Sequence, residues 1–317
     1  MKKPISYLML FACIALLFAS SCKKTEPDEG NLTSFQKLTD YLKVYNLDLT
    51  SEGILKDWII PASDVNGNES SYYIMDIRQS VDFNICHIEG AHNVGFGNVV
   101  TEAAEAEGKT ILVACYTGQG AAHAVIALRL SGYPDAKSLK WGMSSWNSTL
   151  DKWTSNISDT AIGHANWTTD ATATLVEFAE PNLITSGTDA ESILKERVDT
   201  LLAKGFRGIA AVDVLGNYNN YFINNYWAEA DVNTYGHIKD AYRINPLTLL
   251  NGEYKYLDPS KTIVTYCWTG QTSSMVTAYL TVLGYDAKSL KFGANGMIYK
   301  DLQSHKWTSS GTYNCAK

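Results

Sequence analysis

Cysteine is scarce in this chain, and its few cysteines are not spaced as metal ligands. Six cysteines occur in 317 residues, two of them within the first 22 positions. The other four are Cys86, Cys115, Cys267 and Cys315. They are too sparse for a disulfide-stabilised scaffold, and a bridge involving Cys86 or Cys315 is left open. Because no Cys-x-x-Cys or His-x-x-x-His pair occurs, the sequence predicts no metal site, and it predicts no cofactor.

The chain also lacks the excess of basic side chains that binding to nucleic acid requires. Lys and Arg number 26 against 33 Asp and Glu, which gives a formal net charge of −7. We therefore expect no nucleic-acid partner. The composition is otherwise that of a globular protein, with 45% hydrophobic residues, and the chain is long enough for two domains of ordinary size.

An apolar run near the N-terminus, Leu8–Ala19, has 12 residues and is too short to span a membrane as a helix. It follows two lysines and is followed by small residues and Cys22, which is typical of an export signal. The arrangement resembles the bacterial lipoprotein signal, which implies a signal peptide over residues 1–21, lipidation of Cys22 and a tether over residues 22–33. We expect an exported protein, lipid-anchored to a bacterial membrane on its periplasmic or cell-surface side. An ordinary cleaved signal with an incidental Cys22 is the alternative.

Two long stretches of the chain are copies of each other. Lys109–Gly120 and Lys261–Thr272 are identical at seven of twelve positions and lie 152 positions apart. The likeness continues into Leu130–Gly142 and Val282–Gly293, where the two copies differ in length by one residue. Because this period is far longer than the roughly 20–50 residues of a solenoid unit, the repeat predicts two copies of one domain.

Each copy places a cysteine between an apolar run typical of a buried strand and a segment typical of a helix. Cys115 and Cys267 would then lie at the carboxyl ends of strands, where ligands bind in open α/β sheets. The free N–H groups and the positive dipole at a helix start favour an anion. We therefore expect both loops to favour the thiolate, which is a nucleophile.

Strand and helix signals alternate along the chain, which predicts an α/β fold with a mostly parallel sheet flanked by helices in each copy. Ser34–Tyr45 and Thr50–Trp58 are predicted helices, and the strand beginning at Tyr72 ends in Asp76. In the second copy Ile209–Val214 is interpreted as the counterpart of that strand, so that Asp213 corresponds to Asp76. The interval from aspartate to loop cysteine is then 39 residues in the first copy and 54 in the second, which predicts an insertion in the second.

The predicted domain limits follow from the repeat and from a segment with no clear helical stripe. The first domain is predicted over residues 34–155 and the second over residues 188–317. Residues 156–187, rich in Thr, Ala and Asn, are the predicted linker.

Several motifs taken in order resemble the rhodanese family. The first copy offers Asp76-Ile77-Arg78, then Cys86–Asn93, then the loop Cys115–Gly120. The second offers Asp213-Val214, then Gly236–Ala241, then the loop Cys267–Thr272. The resemblance implies two rhodanese-like domains, each a mostly parallel sheet flanked by helices.

The resemblance also implies an enzyme, a sulfurtransferase that moves sulfane sulfur from a small donor to a thiol or cyanide-like acceptor through a cysteine persulfide. Cys115 and Cys267 would be the nucleophiles, with Asp76, Arg78 and Asp213 in supporting positions. The residues that would cradle the persulfide are Tyr116, Thr117, Gly118, Gln119, Gly120, Trp268, Thr269, Gly270, Gln271 and Thr272.

Neither loop carries a basic side chain, which leaves thiosulfate in doubt as the donor. A cysteine phosphatase needs arginine six residues after the cysteine, and Ala121 and Ser273 occupy those positions. Two alternatives stay open: a non-enzymatic module that binds an anionic or sulfur-containing ligand, and a thiol redox protein. Tyr116 and Trp268 are interpreted either as a shield for the persulfide or as packing, and His123 is predicted to lie at the surface.

Overall fold

A computed structural model describes residues 32–309 and 311–317. The predicted signal peptide, Cys22 and most of the tether lie outside the described residues. The first half of the chain contains, in order, α1 (Ser34–Val44), β1 (Ile59–Ile60), α2 (Ala62–Val65), β2 (Tyr72–Asp76), α3 (Ser80–Ile85), β3 (His92–Asn93), α4 (Val99–Glu102), β4 (Thr110–Ala114), α5 (Gln119–Leu130), β5 (Lys137–Leu139) and α6 (Met143–Trp146).

The second half follows a similar order after a short strand in the connecting segment, without counterparts of α4 and α6 and with one additional strand, β9. It contains β6 (Trp167–Thr168), α7 (Ala190–Lys204), β7 (Gly208–Ile209), α8 (Ala211–Gly216), β8 (Tyr221–Asn225), α9 (Glu229–Tyr235), β9 (His237–Ile238), β10 (Tyr242–Arg243), β11 (Thr262–Tyr266), α10 (Gln271–Val282) and β12 (Ala287–Leu290). The structure confirms the predicted α/β fold, with a parallel sheet and flanking helices in each half.

Each half is built on one five-stranded parallel sheet. The strand orders are β1-β5-β4-β2-β3 and β7-β12-β11-β8-β10, so the two sheets have the same topology. In the central pair of each sheet, Asp76 lies beside Ala114 and Asn225 lies beside Tyr266. Since Ala114 and Tyr266 directly precede the two loop cysteines, the sheet aligns each cysteine with the end of the neighbouring strand.

Helices α5 and α10 pack against each other between the two sheets. Every residue of α5 except Gly120 is buried, and so is every residue of α10 except Thr272. A helix that is buried along its whole length is covered on all sides, here by its own sheet and by the other half. The largest apolar cluster therefore contains side chains from both halves, and each half has a smaller cluster on the other face of its sheet.

The two ends of the described chain each cross to the opposite half. Helix α1 packs on α7, and the Phe35 ring lies 5.5 Å from the ring of Tyr254. At the other end, Cys315 forms a disulfide with Cys86, and the flanking backbone pairs with residue 87 of the first half. The disulfide answers the question that the sequence left open for these two cysteines.

The predicted linker follows the surface of the second half. Its backbone N–H groups donate to carbonyls there, from Ser158 to Asn295 and from Ala161 to Met297. Strand β6 then pairs antiparallel with β9. This segment is ordered by the second half although it has almost no regular secondary structure of its own.

The strand assignment around Asp213 is wrong. Asp213 is exposed and lies in helix α8, and the strand that pairs with β11 is Tyr221–Asn225, so Asn225 is the counterpart of Asp76. Asparagine is disfavoured in strands, which made this strand look like a turn. Its buried amides find partners only in the folded protein: Asn224 exchanges hydrogen bonds with the backbone of Ile244. The interval from Asn225 to the loop cysteine is 42 residues, so the inferred insertion is largely absent.

Two smaller predictions are also wrong. Most of Thr50–Trp58 forms turns rather than a helix. His123 is fully buried between the halves, where its Nδ1 lies 3.1 Å from the carbonyl oxygen of Ser274. Burial lowers the pKa of His123 to about 4, so the ring is neutral near pH 7 and Nδ1–H donates to that oxygen. In the described part of the chain, no helix is long and apolar enough to cross a membrane.

The disulfide is expected to stabilise the fold because it ties together residues that are 229 positions apart in sequence. Cys315→Ser should lower the free energy of unfolding by roughly 2–4 kcal/mol, chiefly because the unfolded chain is no longer constrained. Urea unfolding of wild type and variant, with and without a reductant, measures the difference. Reductant should destabilise only the wild type; equal stability of all four samples would contradict the prediction.

Candidate active site

The first cysteine loop connects β4 to α5 and wraps its backbone around the sulfur. Cys115 is 6% exposed, and its Sγ accepts N–H groups from Gly118 at 3.2 Å and Ala121 at 3.3 Å. Gly118 has a φ of 81°, which turns the chain sharply into the helix and which most residues adopt only with strain. The loop thus directs the free N–H groups of the helix start at the thiol, as the sequence predicts.

The electrostatic balance at Cys115 differs from the prediction. Burial raises the pKa of the thiol above its ordinary value, and the loop N–H groups, with that of Ala121 foremost, lower it only in part. The loop N–H groups favour the thiolate as expected, but burial leaves the net pKa of Cys115 above its ordinary value. The N–H groups stabilise the anion, but the cost of removing the anion from water is larger than this stabilisation.

The second loop connects β11 to α10 and contacts its sulfur differently. Cys267 is 3% exposed, and its Sγ accepts the N–H of Ser273 at 3.3 Å. The hydroxyl of the same serine lies 3.5 Å from Sγ and 2.9 Å from the hydroxyl of Ser289. The first loop has Ala121 at the position of Ser273, so a hydroxyl contact to sulfur occurs only in the second.

Asp76 and Arg78 form a buried ion pair beside the first loop. The Nη2 of Arg78 donates to Asp76 at 2.7 Å and to the carbonyl oxygen of Cys86 at 2.6 Å. Both side chains are 1% exposed. Because the guanidinium is engaged by these acceptors, its charge is not free to bind an anionic substrate.

The second half replaces this ion pair with uncharged residues. Asn225 and Trp227 stand where the first half has Asp76 and Arg78, and Trp227 stacks on Trp268 with ring centroids 4.4 Å apart. The other face of Trp268 is covered by His305 at 5.2 Å. The second site therefore has an aromatic wall.

The first site has a polar wall instead. The hydroxyl of Tyr116 donates to Asp82 at 2.5 Å and accepts the N–H of Gln79 at 3.3 Å. The Arg78 guanidinium lies 5.8 Å from the Tyr116 ring centroid. Tyr116 and Trp268 are each held in place by neighbours, so packing is established for both, and a shielding role stays a prediction.

The two cysteine loops touch each other through a pair of glutamines. Gln119 accepts the N–H of Phe292 at 2.8 Å, and Gln271 accepts the N–H of Trp141 at 2.9 Å, so each glutamine bonds to the opposite half. Each also donates to the threonine of its own loop, Thr117 or Thr269. Each glutamine thus joins its own loop to the segment that follows the last sheet strand, β5 or β12, of the opposite half.

Glycine is required where the two loops meet. A Cβ on Gly118 would collide with the side chain of Gln271, and a Cβ on Gly270 would collide with that of Gln119. Gly120 lies close enough to the first sulfur that a Cβ there would be in van der Waals contact with it. Thr272, the remaining predicted cradle residue, is half-buried at the start of α10.

The model of the rhodanese-like domain matches the chain twice, over residues 62–149 and 200–298. The chain belongs to the rhodanese-like domain family. The two matches confirm the predicted resemblance and its tandem form, and sulfurtransferase activity is supported at the level of the family.

Among curated proteins, the chain is 35% identical over 78 residues to the thiosulfate sulfurtransferase GlpE of Shewanella oneidensis, which covers 24% of this chain and 77% of that protein. The search of solved structures matched SseA of Escherichia coli, titled a 3-mercaptopyruvate sulfotransferase, at 13% identity over 74% of this chain and 98% of that one, with a TM-score of 0.27. A rhodanese-related protein of Thermoplasma volcanium is 21% identical over 30% of this chain and 94% of that one, with a TM-score of 0.27.

In this rhodanese-like fold most of the predicted site residues lie at the two sites, and one does not. Asp76, Arg78 and the two loops lie where the motifs place them, and Asp213 lies on a different element. No group of three or more His, Cys, Asp or Glu side chains in the described ranges is arranged to hold a metal ion.

The sequence interpretation missed three features of the sites: Trp227, the Ser273–Ser289 contact and the glutamine exchange. Trp227 was hidden by the wrong strand assignment, and the Ser273–Ser289 contact joins residues on different elements. One pattern in the sequence could have indicated the glutamine exchange. Thr-Gly-Gln follows the aromatic residue in both loops, and a loop that only faces solvent rarely needs glutamine at the same position in both copies.

The ion pair beside the first rhodanese-like site is expected to be structural. Asp76→Asn leaves a buried, unpaired guanidinium and should lower the free energy of unfolding by about 3–5 kcal/mol. Asp76→Asn combined with Arg78→Met removes both charges and should restore much of that loss. Urea unfolding measures both variants.

A matched control is the exposed pair of Lys195 and Asp199 on α7. Asp199→Asn should change stability by less than about 1 kcal/mol, since exposed ion pairs contribute little. If the double variant is less stable than Asp76→Asn alone, the charge of Arg78 is needed for more than pairing with Asp76.

Proposed function

We propose that the protein is a sulfurtransferase that carries sulfane sulfur as a persulfide on Cys267, Cys115 or both. The observation that carries the proposal is that each free cysteine ends a central strand and faces N–H groups of a helix start. Such donors stabilise an anion on sulfur, as an oxyanion hole stabilises one on oxygen. The family and its curated relative support the reaction class.

The reaction has two balanced steps. In the first step the thiolate attacks the outer sulfur of a donor, and an S–S bond forms between the cysteine and that sulfur. The bond that held this sulfur in the donor breaks, and its electron pair leaves with the rest of the donor. A thiol or cyanide-like acceptor then attacks the outer sulfur of the persulfide and releases the thiolate. Both steps are covalent catalysis by one nucleophile and need no cofactor.

The donor is proposed to be small and of low charge. Neither loop has a basic side chain, and the nearest cation in the first site, Arg78, is engaged by Asp76. A dianion such as thiosulfate would lose its hydration at these sites without gaining a counter-charge. A persulfide or another singly charged donor loses less hydration free energy at these sites.

Near-complete burial of both thiols favours one alternative, a non-covalent module for an anionic or sulfur-containing ligand. Cys115 and Cys267 are 6% and 3% exposed, so little of either residue is open to an attacking donor. The redox alternative has less support, because Cys86 and Cys315 are bonded to each other rather than free to resolve either loop thiol.

The persulfide is tested by intact-protein mass spectrometry before and after a panel of sulfur donors. We expect a gain of one sulfur atom that cyanide reverses, lost in Cys267→Ser or in Cys115→Ser, according to which thiol is loaded. The double variant is the control for non-specific sulfur. No gain with any donor, while both thiols still react with an alkylating agent, would favour the binding module.

We further propose that the protein is exported and held at a membrane by lipid on Cys22. The Cys86–Cys315 disulfide supports export, since disulfides persist mainly in oxidising compartments. Cys22→Ala is expected to move the protein from the membrane fraction to the soluble fraction of lysed cells. Recovery of the unaltered protein in the soluble fraction would contradict the anchor and leave the ordinary signal peptide.

A further inference from the structure

A line of buried hydroxyl groups runs from Cys267 into the second sheet. The Ser273 hydroxyl lies 3.5 Å from Sγ, the Ser289 hydroxyl lies 2.9 Å from that of Ser273, and the carbonyl oxygen of Gly270 lies 3.3 Å from that of Ser289. All three serine and cysteine side chains on this line are buried. The line therefore connects the sulfur to a backbone acceptor without passing through solvent.

The first half has every part of this line except one hydroxyl. Ser138 on β5 corresponds to Ser289 and also lies 3.3 Å from the carbonyl of its loop glycine, Gly118. Ala121 corresponds to Ser273 and ends the line before it reaches sulfur. In its place the first sulfur accepts a second backbone N–H, that of Gly118.

Hydroxyl groups rotate, so this line can satisfy both protonation states of the thiol. When Cys267 is neutral, its S–H donates to Ser273, Ser273 donates to Ser289, and Ser289 donates to the carbonyl of Gly270. When Cys267 is a thiolate, Ser289 donates to Ser273 and Ser273 donates to sulfur. The carbonyl of Gly270 remains bonded in the second arrangement, because the Ser274 hydroxyl also donates to it, at 2.6 Å.

We propose that Ser273, oriented by Ser289, is a positioning residue that holds the thiolate of Cys267 with its hydroxyl group. The first site has no hydroxyl at its sulfur. The line has no base at its end, so the thiol proton leaves to water or buffer base rather than along the hydroxyls. An amide N–H can only donate, and the first site depends on amides alone. The second thiol is thus hydrogen-bonded both before and after it ionises, and the bond to the thiolate is the stronger of the two because it is charge-assisted.

The role of this residue in sulfur transfer rests on the proposed function, but its effect on the thiol does not. The test is the rate at which iodoacetamide alkylates each cysteine in the full-length protein between pH 6 and pH 10, followed by peptide mass mapping. Because both thiols are read in one sample, Cys115 is the internal control for Ser273→Ala.

Ser273→Ala is expected to slow alkylation of Cys267 near pH 7 by roughly tenfold and to move its pH profile up by about one unit, the effect of one hydrogen bond to a charged group. The rate at high pH, where the thiolate is complete, should not change, and neither should the profile of Cys115. A merely structural role would change access to both thiols or the limiting rate.

Two further variants keep the proposal testable. Ser289→Ala removes the orienting hydroxyl and should move the Cys267 profile in the same direction by less. Ala121→Ser completes the line in the first half, where Ser138 is already in place, and should move the Cys115 profile to lower pH. Unchanged Cys267 profiles in both Ser273→Ala and Ser289→Ala would overturn the proposal.

Sulfur loading separates this proposal from the proposed function. If Ser273→Ala shifts the alkylation profile and slows persulfide formation on Cys267 by a similar factor, both are supported. If the profile shifts but no donor loads sulfur on any variant, the role of Ser273 is supported and the sulfurtransferase proposal fails.

Discussion

Helices α5 and α10 pack against each other along buried surfaces, and the position of both thiols depends on that contact. Each helix begins with a cysteine loop, so helices that pack together at their starts bring the loops together as well. The glutamine exchange follows from this geometry: Gln119 and Gln271 reach the backbone on the opposite side of the interface. Separating the halves would expose apolar surface and would exchange these two hydrogen bonds for bonds to water.

Two copies of one domain have kept their backbone and diverged in the groups that surround sulfur. The first site is enclosed by an ion pair and a tyrosine bonded to a carboxylate, and the second by stacked aromatic rings and serine hydroxyls. A charge-free wall keeps the local dielectric low, which strengthens hydrogen bonds to an anion but raises the cost of forming it. The two thiols of one chain therefore experience different electrostatic environments on the same loop geometry.

The ends of the described chain make the two halves mutually dependent. Helix α1 covers part of the second half, and the segment around Cys315 is bonded covalently to the first. The backbone pairing at His87 places that segment next to α3, the helix that carries Asp82, the partner of Tyr116. The wall of the first site is thus held partly by residues from the far end of the chain.

The sequence by itself was enough for the repeat, the parallel α/β fold and the two loop cysteines. These features depend on local sequence patterns that occur twice in the chain. An apolar run followed by a cysteine and a glycine-containing loop is most simply interpreted as a strand that leads into a loop. The position of Arg78 beside a carboxylate was predictable for the same reason, since Asp76 is two residues away.

Only the tertiary structure decided which strand faces β11, because a strand that ends in two asparagines is stable only where its amides find partners. It also decided that His123 is buried, since a helix apolar on all sides gives no indication of which face meets another domain. The pairing of Cys86 with Cys315 joins residues 229 positions apart, and the hydroxyl line joins α10 to β12. Such contacts are set by how two halves pack, and no local pattern of residues encodes that.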